Sequence, residues 1–444
     1  MWWPFDAFGG VVGLVWGFTR GTSDTAFSDH VKPRLWQATG MTERQFPKWS
    51  DFAPLLKPQP RTGTHRSRVV ARDASIDDLR RRAKRRTPKA VFDYVDGAAH
   101  DEVSIQRSRE LFRDIEFQPR VLEDVTDVDT STSLLGVPAA FPFGFAPTGY
   151  TRMMHHEGEC AVARVAERTE VPYALSTMGT TTPEDVALAA PNADLWFQLY
   201  VWRDRELSLS LVDRARESGF RVLILTVDLP VGGDRRRDVR NGLSVPPNIT
   251  AKTVLNGALH PNWWMNFLTT PPLKFATFES STGGTIADHA DRMFDASMTL
   301  DAVEWLRERW DGPIVIKGVQ TIVDCRRVVD AGADAVLLSN HGGRQLDRSP
   351  IPLRLVEPAK QELGDEAEVY VDGGIMNGAD IVAAIALGAD AAFFGRAYLY
   401  GIMAGGEDGV QRATDILIAD VIRTMKLLGV TSLDELTPDH VRLP

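Results

Sequence analysis

Cysteine is nearly absent from this 444-residue chain: Cys160 and Cys325 are the only two, and they lie far apart. Two thiols so placed suggest neither a metal-ligand spacing nor a disulfide framework, and they suit a reducing compartment. Basic charge is not in excess either. A net charge of −10 and a pI near 5.5 argue against nucleic acid as the main partner. There is no HExxH and no pair of carboxylates on one helix, so no metal is expected. His155-His156-Glu157 looks metal-like, but adjacent residues are not expected to share one coordination face. No GxGxxG follows the first apolar run, which weakens a dinucleotide-binding reading. The opening stretch MWWPFDAFGGVVGLVWGF is apolar, yet Asp6 interrupts it and no basic residue precedes it. It is too short and Gly-rich for a membrane span and lacks the basic start of a secretory signal.

What remains is a globular composition, 43% hydrophobic and 25% charged, enough for one large domain or two ordinary ones. Met41 reads as the biological start, with 1–40 a mis-called extension; a membrane-associating N-terminus and a structural or disordered tail are the alternatives. Residues 41–74 are rich in Pro and Arg without a clear period. Residues 1–74 are therefore expected to be an extension and linker, and 75–444 the functional domain. Ser75-Ile-Asp-Asp78 is a capping-box-like helix start. The basic run RRRAKRR (80–86) reads as a solvated helix face, with an anionic-lipid contact as the sharper alternative. Thr87-Pro88 suits an N-cap and first position of a second helix through 89–99.

From residue 142 a rhythm sets in. Short apolar runs at 142–147, 171–176, 194–200, 221–228, 313–318, 334–340, 368–374 and 390–396 alternate with helical stretches such as 299–310, 321–332 and 378–388. Strands that are continuously apolar and joined by helical crossovers imply a parallel sheet covered by helices. Eight such units make an α/β fold, a (β/α)8 TIM barrel with an N-terminal helical arm, the leading expectation; a doubly wound sheet is the runner-up. One connection is far longer than the rest, from Asp228 to Ile314 after strand four, and it holds HPNWWMNFLTTPPLKF (260–275). Its aromatic and apolar side chains suit a self-packed loop over the site, or alternatively a patch that docks on a membrane or partner protein.

Side chains at the C-terminal ends of barrel strands converge. Here those ends carry Pro147-Thr148-Gly149, Ser176, Gln198, Tyr200, Thr226, Asp228, Lys317, Ser339, His341, Asp372-Gly373-Gly374 and Gly395-Arg396. A lone His or strand-end Ser is usually structural, but polar groups end all eight strands. Glycine-bearing turns also follow strands seven and eight, where barrels hold phosphate. Gly373, Gly374, Gly395 and Arg396 thus suggest a phosphate-bearing ligand approached by backbone N–H groups. The other donors and acceptors suit a flat heterocycle.

SNHGGRQLD (339–347), with APTG (146–149), FQLY (197–200), TVD (226–228), IKG (316–318), VDGG (371–374) and FGRA (394–397), resembles the FMN-dependent 2-hydroxy-acid oxidase and dehydrogenase family over about 75–444. DVRNG (238–242), the HPNWW loop and VIRTMKLLGVTSLDEL (421–436) are most similar to bacterial L-lactate dehydrogenases that do not use NAD. The resemblance implies roles. His341 takes a proton from the substrate, and Asp228 orients the imidazole. Arg344 and Tyr94 grip the substrate carboxylate, while Arg235 and Tyr200 contact its hydroxyl and developing charge. Lys317 stabilises the reduced flavin. FMN contacts are implied for Pro147, Thr148, Gly149, Ser176, Gln198, Tyr200, Thr226, Lys317, Ser339, Asp372, Gly373, Gly374, Gly395 and Arg396.

Two residues depart from that pattern. Met376 stands where many relatives carry an Arg after VDGG, and Gly149 where many oxidases carry Ala. The expected activity is FMN-dependent oxidation of a small (S)-2-hydroxy acid, foremost L-lactate to pyruvate. Electrons would pass to a quinone or other non-NAD acceptor of the respiratory chain. Direct use of oxygen, as in lactate oxidase or lactate 2-monooxygenase, is the alternative. Peptide-modifying or isoprenoid-isomerising FMN barrels fit less well with Arg344 and Tyr94. Relatives imply a homotetramer, and the expected place is the cytoplasm, with 260–275 offering peripheral contact to the inner face of the cell membrane.

Overall fold

The computed structural model describes residues 48–52, 63–242, 258–271, 273 and 295–444. The expected start at Met41, the apolar stretch over 1–40, and much of the connection from Asp228 to Ile314 lie outside the described residues. Residues Met1–Pro60 form one unit, of which the short helix Trp49–Phe52 is described. All that follows concerns the second unit, Arg61–Pro444.

Eight strands form a closed parallel barrel in chain order: β1 Phe143–Phe145, β2 Tyr173–Ser176, β3 Leu195–Leu199, β4 Val222–Thr226, β5 Ile314–Val319, β6 Ala335–Leu338, β7 Glu368–Asp372 and β8 Ala391–Phe394. Each coincides with one expected run. The doubly wound alternative is excluded, because β8 pairs back onto β1 with Phe393 opposite Gly144. Glycine is required at that seam, since a Cβ on residue 144 would stand 2.5 Å from the Phe393 ring.

The strands read as continuous apolar runs because both faces are buried. On β3, Trp196 points into the barrel and meets Tyr370 and Phe393 with ring centroids 5.8 and 5.3 Å away. Leu195, Phe197 and Leu199 belong to the larger core cluster shared with the helices. Alternate side chains thus fill two separate cores, as a period of two demands. Leu134 and Ala139, from a hairpin over 132–139, belong to the inner cluster. Arg221, just before β4, donates to the carbonyls of Leu134 and Leu135 at 3.2 and 2.9 Å, which fastens this hairpin at the N-terminal end of the barrel.

The C-terminal end is framed by helices α1 Ile76–Arg86, α2 Lys89–Asp96 and α3 Val103–Asp114. The Ser75–Asp78 capping box forms at the start of α1. Thr87 differs from expectation: its hydroxyl donates back to the Ala83 carbonyl at 2.9 Å, so it ends α1, and Pro88 takes the cap position of α2. The basic run of α1 is only partly solvated, because Arg80 pairs with Asp96 and Arg82 with Asp73. A helix over His65–Val70 lies inside the stretch read as linker. It nests against helix α5, Arg396–Leu428, where Gly405 has no side chain; a Cβ there would meet Val70 at 2.6 Å. Contacts with the barrel therefore begin before residue 75.

Candidate active site

The strand β6 ends at Leu338, and each polar residue after it has a task. Ser339 Oγ accepts the backbone N–H of His341 at 3.0 Å, and Asn340 Oδ1 accepts that of Gly343 at 3.1 Å. This closes a tight turn in which His341 sits at φ +57, a left-handed conformation. Such a backbone costs roughly 1–3 kcal/mol and is held only when its surroundings dictate it. Gly343 lets α3 approach, since a Cβ on it would be 2.9 Å from the Ile105 nitrogen. Asp347 accepts the N–H of Ser104 at 2.8 Å, fixing the start of α3, and Gln345 accepts that of Gly233 at 2.9 Å, fixing the loop after β4.

That loop delivers Asp228, whose carboxylate oxygens lie 3.0 and 3.2 Å from His341 Nδ1. Burial opposes ionisation of Asp228, yet the neighbouring His341, which hydrogen-bonds to it, and the Lys317 charge hold its carboxyl below the ordinary value. An ionised Asp228 needs a donor, so Nδ1 carries hydrogen and Nε2 is left to accept a proton. Lys317 lies near the C-terminal end of β5, where a bulge between Lys317 and Val319 breaks the register with β6. Its ammonium donates to Ser339 Oγ and Asp372 Oδ2, both at 2.7 Å.

Tyr94 of α2 lines the same opening, with two guanidinium groups beside its ring. Arg235 Cζ lies 5.4 Å and Arg344 Cζ 4.8 Å from its ring centre. Arg344 is anchored by one Nη, which donates to the Tyr94 carbonyl at 2.6 Å and the Gly97 carbonyl at 3.2 Å. Burial and then the Arg235 charge lower the Arg344 guanidinium below its ordinary value. An arriving carboxylate relieves that repulsion. Burial, followed by Asp228, raises the Tyr200 hydroxyl, which keeps it a donor.

Tyr94, Tyr200, Arg235, Lys317, His341 and Arg344 all line one cavity of about 300 Å³ at the C-terminal end of the barrel. Pro147, Thr148, Gly149, Ser176, Asp372, Gly373, Gly374, Gly395 and Arg396 line the same cavity. Gln198, Thr226 and Ser339 do not; they brace the wall from behind. Gln198 accepts from Ser176 Oγ at 2.9 Å and donates to Thr226 Oγ1 at 3.0 Å, so its amide orients a lining hydroxyl. Arg396 spends three hydrogen bonds on the carbonyls of Val95, Gly342 and Gly97. Tyr150 also lines the cavity, edge-on to Tyr94 at 6.1 Å, and nothing in the sequence pattern singled it out. Asp372 Oδ1 is enclosed without a partner among the described residues, an acceptor still in need of a donor. A polyhydroxylated chain ending in phosphate supplies such a donor, so the residues present fit FMN.

The model of the FMN-dependent dehydrogenase family matches residues 83–443. The chain belongs to that family. It is an FMN-dependent oxidoreductase of 2-hydroxy acids. It is 54% identical over 399 residues, 90% of this chain and 96% of the other, to a Mycobacterium tuberculosis protein provisionally named L-lactate dehydrogenase. It is 39% identical over 367 residues, 80% and 94% of the two chains, to L-lactate dehydrogenase of Caulobacter vibrioides. Among solved structures, the monotopic membrane protein (S)-mandelate dehydrogenase superposes with a TM-score of 0.81 at 37% identity, covering 84% of this chain and 99% of that one. The same fold thus serves relatives named for lactate and for mandelate.

Two other expectations meet the structure here. His155, His156 and Glu157 do bring ligating atoms within 4.8 Å of one another, contrary to the expectation that neighbours in sequence could not. The chain turns sharply here, with His155 extended and Gly158 at φ +50. However, the Glu157 carboxylate is already committed to Arg66 and to the Glu407 N–H, both at 2.6 Å. Burial pushes His155 down to about 4. The helix α4, Pro261–Thr269, divides its side chains. Trp263 donates to the Met153 carbonyl at 3.0 Å and stacks on Phe267, while Leu259 before the helix and Met265 and Leu268 on it are 77, 61 and 69% exposed. No helix among the described residues is long and apolar enough to cross a membrane.

Proposed function

We propose that this enzyme oxidises L-lactate to pyruvate and passes the electrons to a quinone or another non-NAD acceptor. The observation that carries the reading is that two groups line one small cavity. One is His341, held by Asp228, and the other is the cluster of Arg235, Tyr94 and Arg344. A 2-hydroxy acid is the smallest molecule with a carboxylate for the second and a hydroxyl-bearing carbon for the first.

Arg344, with Tyr94 beside it, holds the substrate carboxylate; a charge-assisted contact of this kind contributes about 1.5–3 kcal/mol. Arg235 and the Tyr200 hydroxyl steady the substrate oxygen as charge develops on it. Nε2 of His341 takes the proton that the substrate loses, and Asp228 stabilises the resulting imidazolium. FMN, when bound, accepts the two electrons that leave the substrate. Lys317, which lines the cavity, would stabilise the negative charge that reduction adds to the bound flavin. Met178 narrows the cavity beside Gly149 and favours a methyl over a larger substituent.

Anaerobic titration with L-lactate, D-lactate and (S)-mandelate tests this, reading the bleaching of flavin absorbance. L-Lactate is expected to bleach it at the lowest concentration, and a quinone to restore it faster than air. Preference for mandelate would replace lactate as the substrate. Rapid reoxidation in air, yielding peroxide or acetate, would favour the oxygen-using alternative.

The exposed apolar residues around α4 support peripheral contact with the inner face of the cell membrane from the cytoplasm. Met265→Glu with Leu268→Glu is expected to abolish co-sedimentation with anionic lipid vesicles. The family resemblance supports a homotetramer, which light scattering on the eluted protein would test.

A further inference from the structure

The cavity has a second cationic end, opposite in role to the one that faces the substrate. The turns after β7 and β8 meet there. Gly373 and Gly374 have φ of +95 and +104, and backbone N–H groups at such turns are well suited to an anion. Arg396 is present at this end, but its hydrogen bonds go to three backbone carbonyls. Met376, which lines the same end, is apolar. The turn nevertheless has a further cation above it. Helix α3 lies directly on Gly374, whose missing Cβ would stand 2.9 Å from the Phe112 ring and 3.2 Å from Ser108 Cβ. The residue next to Ser108 on that helix is Arg109, and it lines the cavity.

Arg109 is poorly occupied. Among the described residues it pairs with no carboxylate and makes one long hydrogen bond, 3.5 Å from Nη2 to the Tyr400 hydroxyl. Burial, and then the charges of Arg344 and Arg109, lower the Arg396 guanidinium to about 10. The end of the cavity is therefore short of negative charge. A phosphate dianion cures that deficit, and a guanidinium can grip it with two parallel bonds.

We propose that Arg109 is a cofactor-binding residue that contacts the FMN phosphate and supplies the side-chain cation that residue 376 does not. The inference rests on the phosphate lying at the Gly373–Gly374 and Gly395 turns. Position 109 reaches the site from a helix outside the eight barrel units, which is why no strand-end pattern reveals it.

The test measures flavin affinity rather than turnover. Holoprotein, and protein reconstituted with riboflavin, are diluted, and release is followed by the rise of flavin fluorescence. Wild-type protein is expected to hold FMN more tightly than riboflavin. Arg109→Gln should weaken FMN roughly 10- to 100-fold and leave riboflavin unchanged. Arg109→Lys should fall between the two, since it keeps the charge without the fork. Adding Met376→Arg to Arg109→Gln should restore much of the FMN affinity. Unchanged FMN affinity in Arg109→Gln, or equal losses for FMN and riboflavin, would overturn the assignment. If wild-type protein does not distinguish the two flavins, the phosphate placement itself fails, and the proposal with it.

Discussion

A methyl group on Gly318 would stand 2.7 Å from both Cβ and Cγ of Asp228. The bulge in β5 at this glycine, with φ +101, lets the loop after β4 press the carboxylate toward the imidazole of His341. A missing side chain on one strand thus sets the position of a carboxylate in the loop after another.

Gly318→Ala is therefore expected to damage the site twice. Alanine is strained at this φ by roughly 1–3 kcal/mol, and its methyl group displaces Asp228. We expect a folded protein with a lower melting temperature and kcat/KM reduced about 100-fold or more, in the range seen when a catalytic group is misplaced. Melting curves and steady-state rates check both; wild-type values would refute the role given to this contact.

Asp228→Asn should keep the yellow cofactor but slow its reduction by L-lactate by roughly 10²–10⁴, because the amide no longer enforces Nδ1–H. His341→Ala should lose at least as much. Stopped-flow bleaching at saturating substrate separates this loss from weak binding. Fast reduction in either variant would remove the pair from the mechanism.

A Cβ on Gly149 would lie 2.7 Å from Met178 Cβ. Gly149→Ala must therefore move the segment after β2, which carries Met178 at the cavity wall. The expected result is a several-fold change in the ratio of kcat/KM for lactate over larger 2-hydroxy acids. Met178→Ala combined with it does not relieve a Cβ–Cβ contact, so the double variant should stay impaired, whereas Met178→Gly should recover.

Asp96 at the end of α2 accepts from Arg80 at 2.6 Å, Arg237 at 3.0 Å and the Tyr400 hydroxyl at 2.8 Å. Burial opposes its charge, but these partners hold its carboxyl well below the ordinary value of 3.8. The unfolded chain consequently binds the proton more readily in acid. The stability from this group is complete above about pH 4 and is lost as pH falls through the depressed folded-state value. Urea midpoints measured down to pH 3 should fall less steeply for Asp96→Asn than for wild type, although the variant is less stable at neutral pH.

Much of this was legible in the chain. Eight apolar runs located the eight strands, because a strand buried on both faces has few polar positions to blur it. The signature 339–347 marked one wall of the cavity, since a buried strand ending in His and Arg has few structural excuses. The helix His65–Val70 was not legible: it is short and mixed in character, and Gly405 of α5 creates its seat from far along the chain. Tyr150 was missed because an aromatic residue after a strand carries no signal until its neighbours are known.

By itself, then, the amino-acid order determined which residues are strands, which ends are polar, and which family the chain joins, all properties carried by local pattern. Only the closed barrel decided that Gly318 makes room for Asp228, that Arg235 and Arg344 both approach the Tyr94 ring, and that α3 brings Arg109 over the turn after β7. Those are distances between segments remote in sequence. They are set by strand register and helix docking, which a one-dimensional pattern does not encode.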